Sequence, residues 1–177
     1  TDGRRIKFHY NGQGERILKQ VVSINGLMEK ETFYIRDDKG NVLMDKVTTF
    51  KDNSAVGVTT HYIYGPRGLI GFIRNDTFHS VFTDHAGSVR LVIKNGKVVA
   101  AYDYLPYGEL MRKLVTDETA EIAYKFNGKE LDEEMQTYNF HARFYDPLLG
   151  RFLQIDPQSQ YFSPYKFSGN SPVSFVD

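Results

Sequence analysis

Two carboxylates near the end of the chain, Asp156 in Ile155-Asp-Pro157 and the terminal Asp177, are the residues whose type and spacing best suit chemistry. Aspartates that share one site divide the work, because like charges cannot both ionise freely. One stays ionised and activates water while the other keeps a proton for the leaving group. Asp156 also has a plainer role open to it: Asp-Pro is a common turn pair, and an aspartate at a strand end before proline sets the turn. The five histidines, at 9, 61, 79, 85 and 141, have no metal-ligand spacing. With no cysteine in the chain, thiolate metal sites, disulfides and cysteine nucleophiles are excluded. A Ser-His-Asp order, a Gly-x-Ser-x-Gly elbow and a phosphate-cradling glycine loop are missing too, and Gly12-x-Gly14 is only a turn. No cofactor is expected.

The elements that must position these carboxylates begin at Phe140. Phe140, Ala142 and Phe144 alternate with His141, Arg143 and Tyr145, Asp146-Pro-Leu-Leu-Gly150 supplies turn chemistry, and Arg151 to Ile155 resumes an extended run. That is a hairpin closed by Asp156-Pro157. If Tyr145 pairs with Arg151, then Arg143 and Asp156 point to opposite faces, whereas a one-residue shift or a bulge puts them on one face. The sequence leaves both registers open. The segment from Gln158 to Asp177 reads as loop-rich, with tyrosines and phenylalanines that pack on the sheet.

The motifs Arg143-Phe-Tyr-Asp-Pro-Leu-Leu-Gly-Arg-Phe-Leu, Asp156-Pro157, Tyr165-Lys-Phe-Ser-Gly-Asn-Ser-Pro172 and Pro172-Val-Ser-Phe-Val-Asp177 follow one another in this order. This arrangement resembles the RHS repeat-associated core domain of RHS/YD-repeat proteins. The resemblance implies an aspartyl activity acting in cis, which cuts the chain just beyond a Pro-x-x-x-x-Asp-Pro-x-Gly-Leu motif. Of that motif the chain holds Pro172 to Asp177. Carried over residue by residue, the family pattern makes Asp156 the first catalytic carboxylate, Asp177 the second, and Arg143 the residue that supports them by holding a carboxylate ionised or orienting a carbonyl. From the residues alone, Arg143 forms an ordinary ion pair with Asp146 or Asp156 just as readily.

Upstream, the chain repeats one theme. Residues 4–10 alternate as a strand does, and Asn11-Gly-Gln-Gly14, Asp37-Asp-Lys-Gly40, Gly65-Pro-Arg-Gly68 and Asp84-His-Ala-Gly87 are turns with glycine in fourth place between aromatic or β-branched runs. Asp103-Tyr-Leu-Pro-Tyr-Gly108 is a longer version, and its Tyr102-Asp103 is closest to the dipeptide that names YD repeats. Asn25-Gly26 and Asn95-Gly96 both predict two-residue hairpins. One hairpin cannot bury its own apolar face, so successive hairpins lie side by side. Lys129 to Met135 has helix-favouring composition, enough for a turn or two.

Lys plus Arg equals Asp plus Glu at 22 each, so overall charge points to neither nucleic acid nor an anionic membrane, and no apolar run is long enough for a membrane helix. The abrupt, motif-like ends predict a fragment of a longer protein. The expected fold is all-β: a curved sheet of antiparallel YD-repeat hairpins in residues 1–115, part of a hollow shell, and a loop-rich plug in the core region 120–177. The resemblance implies a secreted or cell-surface shell that encloses a C-terminal toxin cargo of the same polypeptide. Its partners would be that cargo, the remaining shell and a secretion or delivery apparatus. The alternative is a non-catalytic extracellular interaction module of the teneurin type.

Overall fold

The computed structural model describes residues 3–52 and 54–175, so Asp177 lies outside the described residues. They are almost entirely strands and turns. Ten strands pair in sequential order in one antiparallel, unclosed sheet: β1 (Arg5–Tyr10), β2 (Arg16–Val22), β3 (Met28–Arg36), β4 (Val42–Lys51), β5 (Ser54–Gly65), β6 (Gly68–Arg74), β7 (Thr77–Thr83), β8 (Val89–Lys94), β9 (Lys97–Tyr104) and β10 (Leu110–Val115). Four short strands form a second sheet, again in order: β11 (Glu130–Asp132), β12 (Thr137–Asn139), β13 (Phe144–Asp146) and β14 (Arg151–Phe152). The chain divides into two compact units, one of residues up to 63 with 71–78, the other of 64–70 with 79 onward.

In the first unit the strand period decides which side chains are covered. Tyr34 stands opposite Asp45, and Asp45 opposite Thr60, so the three share a face, and all are buried. Phe33 and Lys46 turn the other way, and Phe33 is exposed. Polar groups on the covered face are matched rather than avoided. The Tyr62 hydroxyl donates to Asp45 Oδ2 at 2.7 Å, and the Arg16 guanidinium lies 4.1 Å from the centre of the Phe8 ring. Burial nevertheless raises the Asp45 carboxyl above its ordinary range, against the opposing hydrogen bond from Tyr62.

The turns between strands share one mechanism. Asn11 Oδ1 accepts the N–H groups of Gln13 and Glu15, Asp37 Oδ1 those of Lys39 and Asn41, and Asp84 Oδ1 those of Ala86 and Ser88, all at 2.8–3.0 Å. The fourth residue is a glycine at φ 78°, 83° and 81° respectively, a conformation that side chains with a Cβ resist. Leu105-Pro-Tyr-Gly108 takes the same backbone course with Leu105 in first place, its N–H and C=O bonded to Glu109 and Gly108. Asn95-Gly96 is the expected two-residue turn, joining Lys94 directly to Lys97.

Two expectations need correction. Asn25-Gly26 does not close a two-residue hairpin: Val22 pairs with Met28, and the loop between them begins at Ser23, whose Oγ accepts the Leu27 N–H at 3.1 Å. It follows the common four-residue frame with serine in the first place. Lys129 to Met135 is not helical. Glu130 and Asp132 are buried in β11 and pair with Asn139 and Thr137, so long-range pairing overrides a weak local preference. Gly65-Pro-Arg-Gly68 is the expected turn with glycine in fourth place, Gly68 at φ 107°, and it joins β5 to β6 through two residues. A further tight turn, Asn75-Asp76 with φ of 50° and 55°, links β6 to β7.

The core of the second unit is aromatic. Phe126, Tyr138, Tyr145, Phe152 and Phe167 are all buried, with Tyr104, Tyr107, Leu131 and Phe140 packed around them. Tyr145 and Phe167 have ring centres 4.2 Å apart, and most other pairs meet edge to face or tilted. Two hydroxyls tie this cluster to the turn after β9: Tyr145 donates to Tyr107 O at 2.7 Å and Tyr138 to Gly108 O at 3.1 Å. Gly108 lies so close that a Cβ there would collide with the Phe126 ring.

Candidate functional site

The hairpin of β13 and β14 positions the charged pair, but it is shorter than the sequence suggests. Phe140 to Arg143 is not strand. The Phe140 N–H donates to Arg143 O at 2.9 Å, and His141 sits at φ 61°, so the alternating residues form a tight turn that delivers Arg143 at the entrance to β13. Asp146 Oδ1 then caps the next turn by accepting the N–H groups of Leu148 and Leu149. Tyr145 pairs with Phe152 and Asp146 with Arg151, the register shifted by one from a Tyr145–Arg151 pairing. The Leu153 N–H extends the ladder to Phe144 O.

The chain then doubles back. The Phe152 N–H donates to Tyr165 O and the Asp156 N–H to Pro164 O, both at 3.0 Å, so residues 164–166 line the other edge of 151–156. Phe167, next along, drops into the aromatic cluster. Between these two runs Asp156 is 5 % exposed. Arg143 Nη1 lies 3.6 Å from Asp156 Oδ1, and the guanidinium carbon stands 3.6 Å from the centre of the Phe152 ring.

Asp156 is held ionised. Its Oδ1 accepts the Gln158 N–H at 3.0 Å and its Oδ2 the Gln160 N–H at 3.3 Å. The Gln158 amide is the main cause that places the carboxyl below the usual carboxylate range; the Gln160 amide and the Arg143 charge add to it, against the opposing pull of burial. The structure thus brings two of the three site residues together, while Asp177 is outside the described residues. Sequence reasoning missed the Phe152 ring face, whereas the two backbone amides belong to the turn that the Asp156-Pro157 pair predicts.

The Asp84 turn provides an internal comparison. Asp84 also caps a turn through its i+2 and i+4 amides, and its other oxygen accepts from Arg90 Nε at 2.9 Å, with the Arg90 guanidinium 5.3 Å from the Tyr104 ring centre. The side chains there are more open, at 38 % for Arg90 and 21 % for Asp84, against 13 % and 5 % for Arg143 and Asp156. A groove of about 460 Å³ lies elsewhere in the unit, between Leu105, Tyr107, Leu148, Leu149 and Asn170, and neither Arg143 nor Asp156 lines it.

An unclosed antiparallel ladder of Asx-capped hairpins, ending in a small aromatic-cored sheet that carries a buried arginine–aspartate pair, defines a YD-repeat shell segment. The match to known proteins bears on nearly the whole chain. The family model described as Teneurin YD-shell matches residues 1–173, and the chain belongs to that family. It is 50 % identical over 178 residues to "Salivary gland surface protein 1" of Aedes aegypti, covering 98 % of this chain and 5 % of the relative. It is 32 % identical over 181 residues to "tRNA nuclease WapA" of Bacillus subtilis (strain 168), covering 96 % of this chain and 7 % of that protein. The solved structure of TcdB2-TccC3 without its hypervariable C-terminal region shares the fold, with a TM-score of 0.70 at 16 % identity over 100 % of this chain and 10 % of that one. The chain therefore spans a small fraction of the length of each of these relatives.

Proposed function

We propose that this chain is the C-terminal shell segment of an RHS-type polymorphic toxin, in which residues 1–115 supply repeat hairpins and 120–177 the core region. With the remaining shell it encloses a cargo that follows in the same polypeptide. Arg143, Asp156 and Asp177 form an aspartyl centre that frees this cargo by cutting just beyond Asp177. The shell acts outside the producing cell, secreted or at its surface and served by a delivery apparatus. The names of relatives, a salivary gland surface protein, tRNA nucleases and a toxin subunit, support this setting.

The observation that carries the chemistry is the buried Arg143–Asp156 pair with its carboxylate held ionised. In this reading Asp156 is the base. It takes a proton from a water whose oxygen attacks the scissile carbonyl carbon, and Asp177 gives its proton to the leaving nitrogen as the C–N bond breaks. Arg143 keeps Asp156 charged until that transfer, and no cofactor enters the reaction. A second reading, a non-catalytic interaction module, is favoured by the Asp84 turn, where an aspartate, an arginine and an aromatic ring occur together in an ordinary open turn, with Asp103 as a second carboxylate 3.6 Å from Arg90.

The test is the intact mass of the full-length parent, expressed alone, with Asp156 native or replaced by asparagine. The native parent is expected in two pieces and Asp156→Asn in one, because the amide keeps the shape but cannot take the proton. Separation of the Asp156→Asn parent at the native rate, with outside proteases excluded, would refute the mechanism assigned to Asp156, and a native parent that stays in one piece would establish the second reading instead.

A further inference from the structure

The Arg143–Asp156 contact differs from the Asp84–Arg90 contact in how the guanidinium is fixed. Arg90 Nε makes a 2.9 Å hydrogen bond to its aspartate and stands 5.3 Å from its ring centre. At Arg143 the order is reversed: the distance to the carboxylate is 3.6 Å, beyond a hydrogen bond, while the ring of Phe152 is directly beneath at 3.6 Å. The ring itself has no freedom to follow a moving arginine. Phe152 is 2 % exposed and meets Phe140, Tyr145 and Phe167 edge to face at centre distances of 5.5, 5.5 and 5.8 Å. Its backbone is held on both sides, by pairing with Tyr145 and by the N–H bond to Tyr165 O.

We infer that Phe152 is a positioning residue for the self-cleavage proposed above: its locked ring face holds the Arg143 guanidinium where its charge acts on Asp156. The inference rests on that reading for its catalytic meaning, but the placement of the charge can be measured separately. Without the ring, the long arginine side chain gains freedom and its charge withdraws from the carboxylate. The proton affinity of Asp156 then rises, and the acid limb of the cleavage-rate profile moves to higher pH.

Four forms of the parent separate the possibilities: native, Phe152→Leu, Phe152→Tyr and Phe167→Leu. Phe167 packs in the same cluster as Phe152, so its leucine variant reports the cost of weakened packing alone. Cleavage in Phe152→Leu is expected to be about tenfold slower, the scale of one desolvated cation–π contact, with its acid limb moved up. Phe152→Tyr keeps the ring and stays near native in both respects. Phe167→Leu leaves the limb where it was. Native behaviour in Phe152→Leu, or equal slowing in Phe152→Leu and Phe167→Leu with no movement of the limb, overturns the inference. In parallel, the Asp156 carboxyl is titrated by carbon-13 NMR in the 177-residue chain with and without Phe152→Leu. If the native parent stays in one piece, the self-cleavage reading falls, and the titration alone decides the positioning: a rise in Phe152→Leu upholds it, and an unchanged value overturns it.

Discussion

Lys125 gives a stability prediction whose sign and size both follow from its surroundings. The residue is 1 % exposed, with Nζ 3.9 Å from the centre of the Tyr102 ring and bonded to Ile122 O. The Glu121 carboxylate lies 3.7 Å away but is shared with Lys113. Burial dominates and lowers the ammonium from 10.5 to about 8. The folded state therefore prefers neutral lysine, and holding it charged below pH 8 costs about 3 kcal/mol at 1.36 kcal/mol per tenfold change in proton affinity. That cost fades as pH climbs from the folded value towards the unfolded one. Lys125→Met keeps most of the apolar stem and removes the titration. Relative to this variant, the native chain should gain roughly 2.5 kcal/mol between about pH 7 and 10. Denaturant unfolding followed by circular dichroism, at intervals of about one pH unit across that range, measures the difference. Tyr104 and Tyr138, whose hydroxyls burial pushes upward, oppose folding as the unfolded chain ionises, but they do so in both proteins and cancel. A difference that stays flat with pH would refute this account, since the packing around Lys125 is the same throughout the range and only the protonation of its amine varies.

Glycine substitutions should separate backbone strain from collision. Gly26 and Gly108 both have positive φ, at 81° and 87°, but a Cβ at Gly26 meets nothing within 4 Å whereas one at Gly108 strikes the Phe126 ring. Thermal unfolding should show Gly26→Ala losing about 1 kcal/mol and Gly108→Ala about 3 kcal/mol or more. Tyr145→Phe keeps the ring in its cluster and removes the donor to Tyr107 O, so it should lose about 1–2 kcal/mol in the same measurement.

The turns were the legible part of this fold because their mechanism is local. Asp37, Asp84 and Asn11 bond amides two and four residues ahead, and a glycine follows at the one position that requires positive φ, so composition and geometry coincide. Where distant pairing decides, local signals misled. Glu130 and Asp132 look helical but are strand residues because Asn139 and Thr137 lie opposite them. The alternation from Phe140 to Tyr145 mimics a strand, yet Phe140 to Arg143 bends, with His141 at positive φ. For the site, the sequence supplied Arg143 and Asp156 but not the register. That was fixed by the Tyr145–Phe152 pairing, which carries both aromatic rings into one cluster. A slip of one residue would turn one ring away from the other.

Strict sequential order in the large sheet has a bearing on how such a chain is made. Each of the ten strands after the first pairs with the strand synthesised just before it. No strand has to wait for a distant segment, so a ribosome can release the sheet hairpin by hairpin, each new hairpin covering the edge left by the one before it. Growth is therefore directional. A nascent chain stalled between hairpins would expose its newest edge with a finished ladder behind it, and the same property lets evolution lengthen the sheet by whole hairpins without disturbing the pairings already in place.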